Sequence, residues 1–146
     1  MPKACIIDID GTLADCSHRI EHALNSDWDT FQSLSPLDSP VQPIIDIAWS
    51  LRSSGWLVVL CTGRNERYHS ITREWLLQHK VPYDLVVYRE NGNFEKDCEY
   101  KRRKLKEIRE KFPEHNFCLA IEDRDRVVAM WREEGLVCLQ AQEGAY

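Results

Sequence analysis

Two aspartates, Asp8 and Asp10, follow the first apolar run of the chain in the stretch CIIDIDGT. In an extended chain, side chains two residues apart point to the same side, so both carboxylates can reach one ligand. Two negative charges this close cost free energy unless a cation or a shared proton relieves them. The pair therefore predicts a metal-linked acid site, where Gly11 lets the chain turn sharply beside the ligand.

Two later apolar runs also end in polar groups. Thr62-Gly63-Arg64 follows LVVLC, and Glu122-Asp123 follows FCLAI. Parallel strands end at one edge of a sheet, where ligands bind, so we expect these groups to meet the two aspartates. A set of carboxylates supplies the hard oxygen ligands that suit Mg²⁺ better than Zn²⁺. The hydroxyl and backbone N–H of Thr62 would bind a phosphate oxygen, which predicts phosphoryl transfer.

A lysine begins the apolar stripe of a predicted helix, DCEYKRRKLKEIREKF. The stripe runs from Lys101 through Leu105, Ile108 and Phe112, at helical spacing. Buried ammonium groups are rare without a partner, so we expect Lys101 to contact the carboxylates and a bound phosphoryl group. The alternative is that its side chain extends to solvent. The neighbouring Lys104 is expected on a solvated face.

The spacing of apolar residues along the chain predicts the strands and helices that position these site residues. Five short apolar runs, ACII, LVVLC, LVVY, FCLAI and LVCL, are separated by segments with helical patterns. Strands buried on both faces that alternate with helices predict an α/β fold. We expect a doubly wound, Rossmann-like parallel sheet of five strands with helices on both faces. The chain length favours a single domain over residues 1–146.

Residues 14–40 do not fit this alternation. The segment is rich in Asp and Ser, contains Trp28, and ends in Pro36 and Pro40. We interpret it as a small cap-like insertion after the first strand that lies over the carboxyl edge of the sheet, with DWDTFQSL as one helix. Trp28 and Phe31 are expected to pack within the insertion rather than to stack on bases.

Composition excludes several classes of protein. The net charge of −5 argues against a broad nucleic-acid-binding surface, although a few arginines suffice to bind one strand end. No apolar run approaches the roughly 20 residues that span a bilayer, and MPKACIIDID does not have the pattern of a secretory signal. The six cysteines are scattered without zinc-ligand spacing, which indicates a reducing compartment. We therefore expect a cytoplasmic protein with no membrane partner.

The order of these motifs along the chain resembles that of the haloacid dehalogenase (HAD) superfamily of phosphotransferases. The motifs are DxDGT, a threonine after the second strand, a lysine, and an acidic pair after the fourth strand. Nearly the whole chain is similar to the phosphatase domain of the phage-type polynucleotide kinase/3′-phosphatase. The similar segments are DIDGTLADCSHR, VVLCTGR, KDCEYK and LAIEDRDRVVAMWREEGLVCLQ. The kinase motif GxxxxGK[ST] is absent, so we expect either a stand-alone phosphatase or a piece whose partner domain is not included. The longer insertion departs from the family pattern, which puts substrate choice in doubt.

The resemblance implies a role for each acidic residue of the site. Asp8 would be the nucleophile that forms an aspartyl-phosphate. Asp10 would act as general acid and then general base, with its backbone carbonyl on the metal. Asp8 and Asp123 would supply the Mg²⁺ carboxylates, with Glu122 beside them or as an alternative ligand.

The resemblance also implies the groups that bind phosphate and substrate. Thr62 and Lys101 would contact the transferring phosphoryl group. The substrate-binding set would be Arg19, Gly63, Arg64 and Asp97, with the last orienting Lys101 or one of the arginines. The alternatives are surface ion pairs for the two arginines and an ordinary N-cap for Asp97.

The leading hypothesis is a magnesium-dependent phosphomonoesterase that removes 3′-phosphate from a DNA or RNA end. A separate kinase or ligase is the expected partner protein. The alternative is a phosphatase of small nucleotides or sugar phosphates that uses the same residues. A phospho-receiver signalling domain is disfavoured, because the third run, LVVY, offers no aspartate. A binding module without catalysis is disfavoured, because every catalytic residue type is present.

Overall fold

A computed structural model describes residues 1–146 and contains a five-stranded, all-parallel sheet in the order β5-β4-β1-β6-β7. The strands are β1 Lys3–Ile7, β4 Leu57–Asn65, β5 Leu85–Arg89, β6 Asn116–Glu122 and β7 Val137–Gln140. Each strand coincides with one of the five apolar runs, so the predicted α/β class and strand count are confirmed.

The sheet is buried on both faces because its central strands are apolar at successive positions. Ala4 and Ile6 of β1 belong to one core, whereas Cys5 and Ile7 belong to the core on the opposite face. Alternate side chains of a strand point to opposite faces, so one continuous apolar run supplies both cores. The first strand lies at the centre of the sheet, which places the residues that follow it between β4 and β6.

Four helices cover the two faces. Helices α3 Gln42–Ser53 and α4 His69–Gln78 pack on one face, and α5 Asp97–Lys111 and α6 Asp125–Glu133 pack on the other. Lys104, predicted on a solvated face of α5, is instead largely buried and pairs with Glu90. None of the helices combines the length and the apolar character that a membrane crossing requires.

The segment 14–40 leaves the sheet through a short antiparallel ribbon. The ribbon pairs β2 Ala14–Asp15 with β3 Ser39–Pro40. Between them lie two short helices, α1 Ile20–Leu24 and α2 Trp28–Ser33. The helix expected in DWDTFQSL is therefore present as α2, capped by the Asp27 side chain, whereas α1 was not predicted.

The segment is fastened to the carboxyl edge of the sheet by polar contacts. Gln32 Oε1 accepts a hydrogen bond from the backbone N–H of Asn65, at the end of β4, at 2.7 Å. The indole N–H of Trp75 in α4 donates to the Asp38 carbonyl at 3.0 Å. Phe31 is buried and meets the ring of Trp28 edge-on, with 5.8 Å between centroids. The segment therefore has a fixed position beside the ends of β1 and β4.

Replacement of Ile6 by alanine should lower the free energy of unfolding by about 2–5 kcal/mol, because the side chain is fully buried in the centre of the sheet. The matched change Val137→Ala removes an exposed side chain of edge strand β7 and should cost less than about 1 kcal/mol. Urea unfolding of both variants measures the difference. Equal losses would contradict the position of the core.

Candidate active site

The chain turns directly after β1, which ends at Ile7. The backbone N–H groups of Leu13 and Ala14 both donate to the Ile9 carbonyl, each at 2.9 Å, and Gly11 has a φ of +83°. A Cβ at Gly11 would lie 2.0 Å from Asp123 Oδ2. Glycine is therefore required here twice, for its left-handed backbone and for the close approach to Asp123.

Three buried carboxylates meet at the carboxyl ends of β1 and β6. One oxygen from each of Asp8, Glu122 and Asp123 lies within 4.8 Å of the others. The ammonium group of Lys101 donates to Asp8 Oδ1 at 2.7 Å and to Glu122 Oε2 at 2.9 Å. Because its side chain is only 1% exposed, Lys101 contacts the carboxylates instead of extending to solvent.

The charge balance of this cluster favours a bound cation. Burial, together with the charge of Glu122, raises the pKa of Asp8 well above its usual range, although Lys101 opposes the shift. Burial likewise raises the pKa of Glu122 to about 7. Burial alone would lower the pKa of Lys101, but the carboxylates outweigh it and keep the lysine protonated. The three carboxylates of the cluster thus have one ammonium group beside them, and of the three it contacts only Asp8 and Glu122.

The donor atoms of the cluster fit Mg²⁺. Asp123 Oδ1 is a buried oxygen with no hydrogen-bond partner. An unpartnered buried carboxylate oxygen is costly unless a cation neutralises it, and all the side-chain donors here are hard oxygens. Asp8, Glu122 and Asp123 are therefore the side chains that could bind the ion.

Asp10 lies in a second, separate group of charges. Its carboxylate accepts hydrogen bonds from Arg64 Nη2 at 2.6 Å and from Arg19 Nη2 at 2.5 Å. Burial alone would raise the pKa of Asp10, but these guanidinium groups outweigh it and hold the pKa below its usual range. The side chain of Asp10 is absent from the carboxylate cluster, so a role as metal ligand would have to use its backbone carbonyl.

Arg19 is positioned by other residues of its own segment, 14–40. Its guanidinium donates to Asp38 at 2.8 and 2.6 Å and to the Phe31 carbonyl at 3.0 Å, and it lies 4.3 Å from the centroid of the Phe31 ring. Arg19 and Arg64 are both fully buried, so the alternative of surface ion pairs is wrong for both. Asp38 was not predicted, because nothing near it in the sequence distinguishes it from other loop acids.

Asp97 organises the opposite side of the site. It is the first residue of α5, and Lys96 occupies the N-cap position. Its carboxylate lies 3.1 Å from Arg89, 3.3 Å from Arg124 and 3.8 Å from Lys101. The simple N-cap alternative is therefore wrong. Asp97 lies near Lys101, one of the groups it was expected to orient, but its arginine partners are Arg89 and Arg124 rather than Arg19 or Arg64. Arg89 and Arg124 were not predicted, since each stands alone in its local pattern.

Thr62, Gly63 and Arg64, predicted to follow the second strand, instead form the carboxyl-terminal part of β4. Thr62 Oγ1 accepts a hydrogen bond from the backbone N–H of Arg64 at 3.1 Å, and the Thr62 carbonyl accepts one from Tyr100 at 2.8 Å. A Cβ at Gly63 would lie 2.7 Å from Asp97 Oδ1, so the absence of a side chain permits this close approach. All the predicted site residues thus lie at one edge of the sheet.

The parallel sheet and the acidic site at its carboxyl edge define a HAD-type phosphatase. The fold is shared with the class C acid phosphatase from Bacillus anthracis, with a TM-score of 0.69 at 17% identity over 99% of this chain and 68% of that chain.

The family model of the polynucleotide kinase PNKP phosphatase domain matches residues 2–146 of the sequence. The chain therefore belongs to this family. A chain in the structure of the Pnkp1/Rnl/Hen1 complex is 30% identical, with a TM-score of 0.86 over 100% of this chain and 48% of that one. A chain of the Pnkp1/Rnl/Hen1 RNA repair complex is also 30% identical, with a TM-score of 0.85 over 100% and 44%. The present chain thus spans about half the length of these two chains.

The raised carboxylate pKa values predict that the metal-free protein loses stability as the pH rises. Glu122 takes up its proton more readily when folded, so between its usual pKa of 4.5 and about 7 the unfolding free energy should fall. The expected loss is about 3 kcal/mol, and the shift of Asp8 has the same sign. Asp10 and Asp97, whose pKa values are lowered, contribute only at lower pH.

Urea unfolding with chelator at about pH 5 and about pH 8 measures this loss, and added Mg²⁺ should reduce it. Glu122→Gln is the control, since it removes the titrating carboxyl and should flatten the profile. Equal wild-type stability at both pH values would show that the carboxylates do not repel one another as the structure implies.

Proposed function

We propose that the chain is a magnesium-dependent phosphomonoesterase that removes 3′-phosphate from nucleic-acid ends through an aspartyl-phosphate on Asp8. One observation carries the proposal. Asp8 and Asp10 lie two residues apart, yet one contacts Lys101 and the carboxylate cluster and the other contacts Arg19 and Arg64. Two acids in such different surroundings can take different roles in one reaction.

The metal would be bound by the carboxylates of Asp8 and Asp123, with Glu122 beside them and the Asp10 carbonyl as a further ligand. When bound, Mg²⁺ supplies neutralisation of negative charge on the phosphoryl oxygens. Lys101 and the backbone at the carboxyl end of β4, where Thr62 is fully buried, would contact the same oxygens from the protein side. The side chain of Asp8 is held by Lys101 and by the Thr12 hydroxyl, which donates to Asp8 Oδ2 at 3.2 Å.

In the first step, a carboxylate oxygen of Asp8 attacks phosphorus as the ester P–O bond breaks. Asp10 gives its proton to the leaving 3′-oxygen. In the second step, Asp10 takes a proton from water, and that water attacks phosphorus and breaks the bond to Asp8. Inorganic phosphate leaves and both aspartates return to their starting states.

The arginines connect substrate binding to the protonation of Asp10. While both guanidinium groups donate to Asp10, they hold its pKa low and it has no proton to give. A phosphate dianion that accepts hydrogen bonds from Arg19 or Arg64 competes for the same donors. Binding would therefore weaken their contacts with Asp10 and let it take up the proton that the leaving oxygen needs.

Family membership over residues 2–146 supports a polynucleotide 3′-phosphate as the substrate. Two similar chains come from complexes named Pnkp1/Rnl/Hen1, one of them described as an RNA repair complex, which supports other repair proteins as partners. A separate kinase or ligase is the partner that we propose. The cap-like segment 14–40 contributes Arg19 to the site and is small, which suits a polymer end better than an enclosed metabolite.

The substrate is tested with an oligonucleotide that has a 3′-phosphate, the same oligonucleotide with a 5′-phosphate, and mononucleotides and sugar phosphates. With Mg²⁺ present, we expect the 3′-phosphorylated strand to be hydrolysed in preference, and Asp8→Asn to be inactive on every substrate. Released phosphate is the readout, and DNA and RNA strands are compared. Preference for a mononucleotide or sugar phosphate would overturn the polymer assignment, whereas an active Asp8→Asn variant would overturn the nucleophile.

Asp10→Asn should slow hydrolysis of a 3′-phosphorylated strand by roughly 10²–10⁴-fold, because the sugar oxygen must be protonated as it leaves. The effect on formation of the aspartyl-phosphate should be much smaller with p-nitrophenyl phosphate, whose leaving group needs no proton. Pre-steady-state release of p-nitrophenol measures that step. An equal loss with both substrates would contradict the role of Asp10 as general acid.

A further inference from the structure

The segment after β7, residues 141–146, lies against Asp123. The hydroxyl of Tyr146 donates a hydrogen bond to Asp123 Oδ2. From the end of β7, Gln140 Nε2 donates to the Asp123 carbonyl at 2.9 Å, and the Ala141 N–H donates to the Glu122 carbonyl at 2.9 Å. Both the side chain and the backbone of Asp123 are thus contacted from this end of the chain.

Two glycines permit the close approach. A Cβ at Gly144 would lie 2.2 Å from the Asp123 carbonyl oxygen, and a Cβ at Gly11 would lie 2.0 Å from Asp123 Oδ2 and 2.7 Å from the Tyr146 hydroxyl. Gln142 Nε2 donates to the Gly11 carbonyl at 2.7 Å, which joins the segment to the turn after β1. The carboxylate of Asp123 therefore lies in a narrow space between two backbone segments.

The two oxygens of Asp123 have different surroundings. Oδ2 accepts the hydrogen bond from Tyr146, whereas Oδ1 is buried without a partner. A hydrogen bond to one oxygen of a ligating carboxylate fixes its orientation, and loss of such outer contacts typically weakens metal binding. We infer that Tyr146 is a positioning residue that holds Asp123 Oδ2 so that Oδ1 is directed at the metal.

Tyr146 is in turn held by Arg124. The Nε of Arg124 donates to the Tyr146 carbonyl oxygen at 3.0 Å, and its guanidinium lies 4.9 Å from the centroid of the tyrosine ring. Arg124 also lies 3.3 Å from Asp97. Because the ring contact does not need the hydroxyl, Tyr146→Phe removes one hydrogen bond to Asp123 and keeps the packing of the segment.

The inference rests on the proposed metal site, and Mn²⁺ binding without substrate tests it directly. The chain has an N-terminal tag, so that the segment 141–146 is unaltered, and free Mn²⁺ is measured by its electron paramagnetic resonance signal. We expect Tyr146→Phe to raise the Kd for Mn²⁺ by roughly 10-fold or more. Its thermal midpoint without metal should match that of the wild-type protein.

Tyr68→Phe is the matched control, because the Tyr68 hydroxyl also donates to an aspartate, Asp29, at 2.9 Å, but on an exposed surface away from the cluster. We expect its Mn²⁺ affinity to equal that of the wild type. Gly144→Ala pushes the segment away from the Asp123 carbonyl while Tyr146 is retained, and should also weaken Mn²⁺ binding. Adding Tyr146→Phe to it should then have little further effect, since the hydrogen bond is already lost.

Unchanged Mn²⁺ affinity in Tyr146→Phe, beside a wild-type protein that binds the ion, would overturn the positioning role and leave the proposed phosphatase intact. A lowered thermal midpoint without metal, together with unchanged affinity, would also overturn it and show a purely structural contact. Failure of the wild-type chain to bind Mn²⁺ would overturn both the metal site and this inference.

Discussion

The ion pairs of Lys101 with Asp8 and Glu122 are the interaction on which the rest of the site depends. A buried carboxylate loses much of its hydration, and three of them at one sheet edge repel each other. One lysine relieves this repulsion only in part, so the folded protein keeps a local excess of negative charge. The same excess that weakens the metal-free fold makes the site suited to a divalent cation, so stability and metal binding are opposed within one cluster.

The second constraint is that Asp8 and Asp10 must not share one environment. The turn at Gly11 and the close approach of Asp123 place Asp8 beside the carboxylates, while the segment 14–40 brings Arg19 over Asp10. The pKa of Asp8 is raised and that of Asp10 is lowered, although both residues come from one strand end. Burial and Glu122 raise the pKa of Asp8 against the opposing charge of Lys101, whereas Arg64 and Arg19 outweigh burial and lower the pKa of Asp10.

Much of the fold could be predicted because the parallel sheet leaves a simple pattern in the sequence. Each apolar run is a strand, since a strand covered on both faces must be apolar at nearly every position. The site residues could be proposed because ligand-binding groups follow such strands. The burial of Arg19 and Arg64 could not be predicted, because an arginine has the same local pattern whether it is buried or exposed. Asp38, Arg89 and Arg124 were missed for the same reason.

The sequence by itself determined the succession of strands and helices along the chain, the acidic residues at the strand ends, and the apolar stripe that turns Lys101 inward. These depend on spacing within one element, which is written in neighbouring residues. Only the tertiary structure decided that Asp10 faces the arginines rather than the carboxylate cluster, that Asp38 fixes Arg19, and that Tyr146 contacts Asp123. Each of these contacts joins residues on different elements, and burial and charge at such a meeting point are set by how the elements pack rather than by any local pattern.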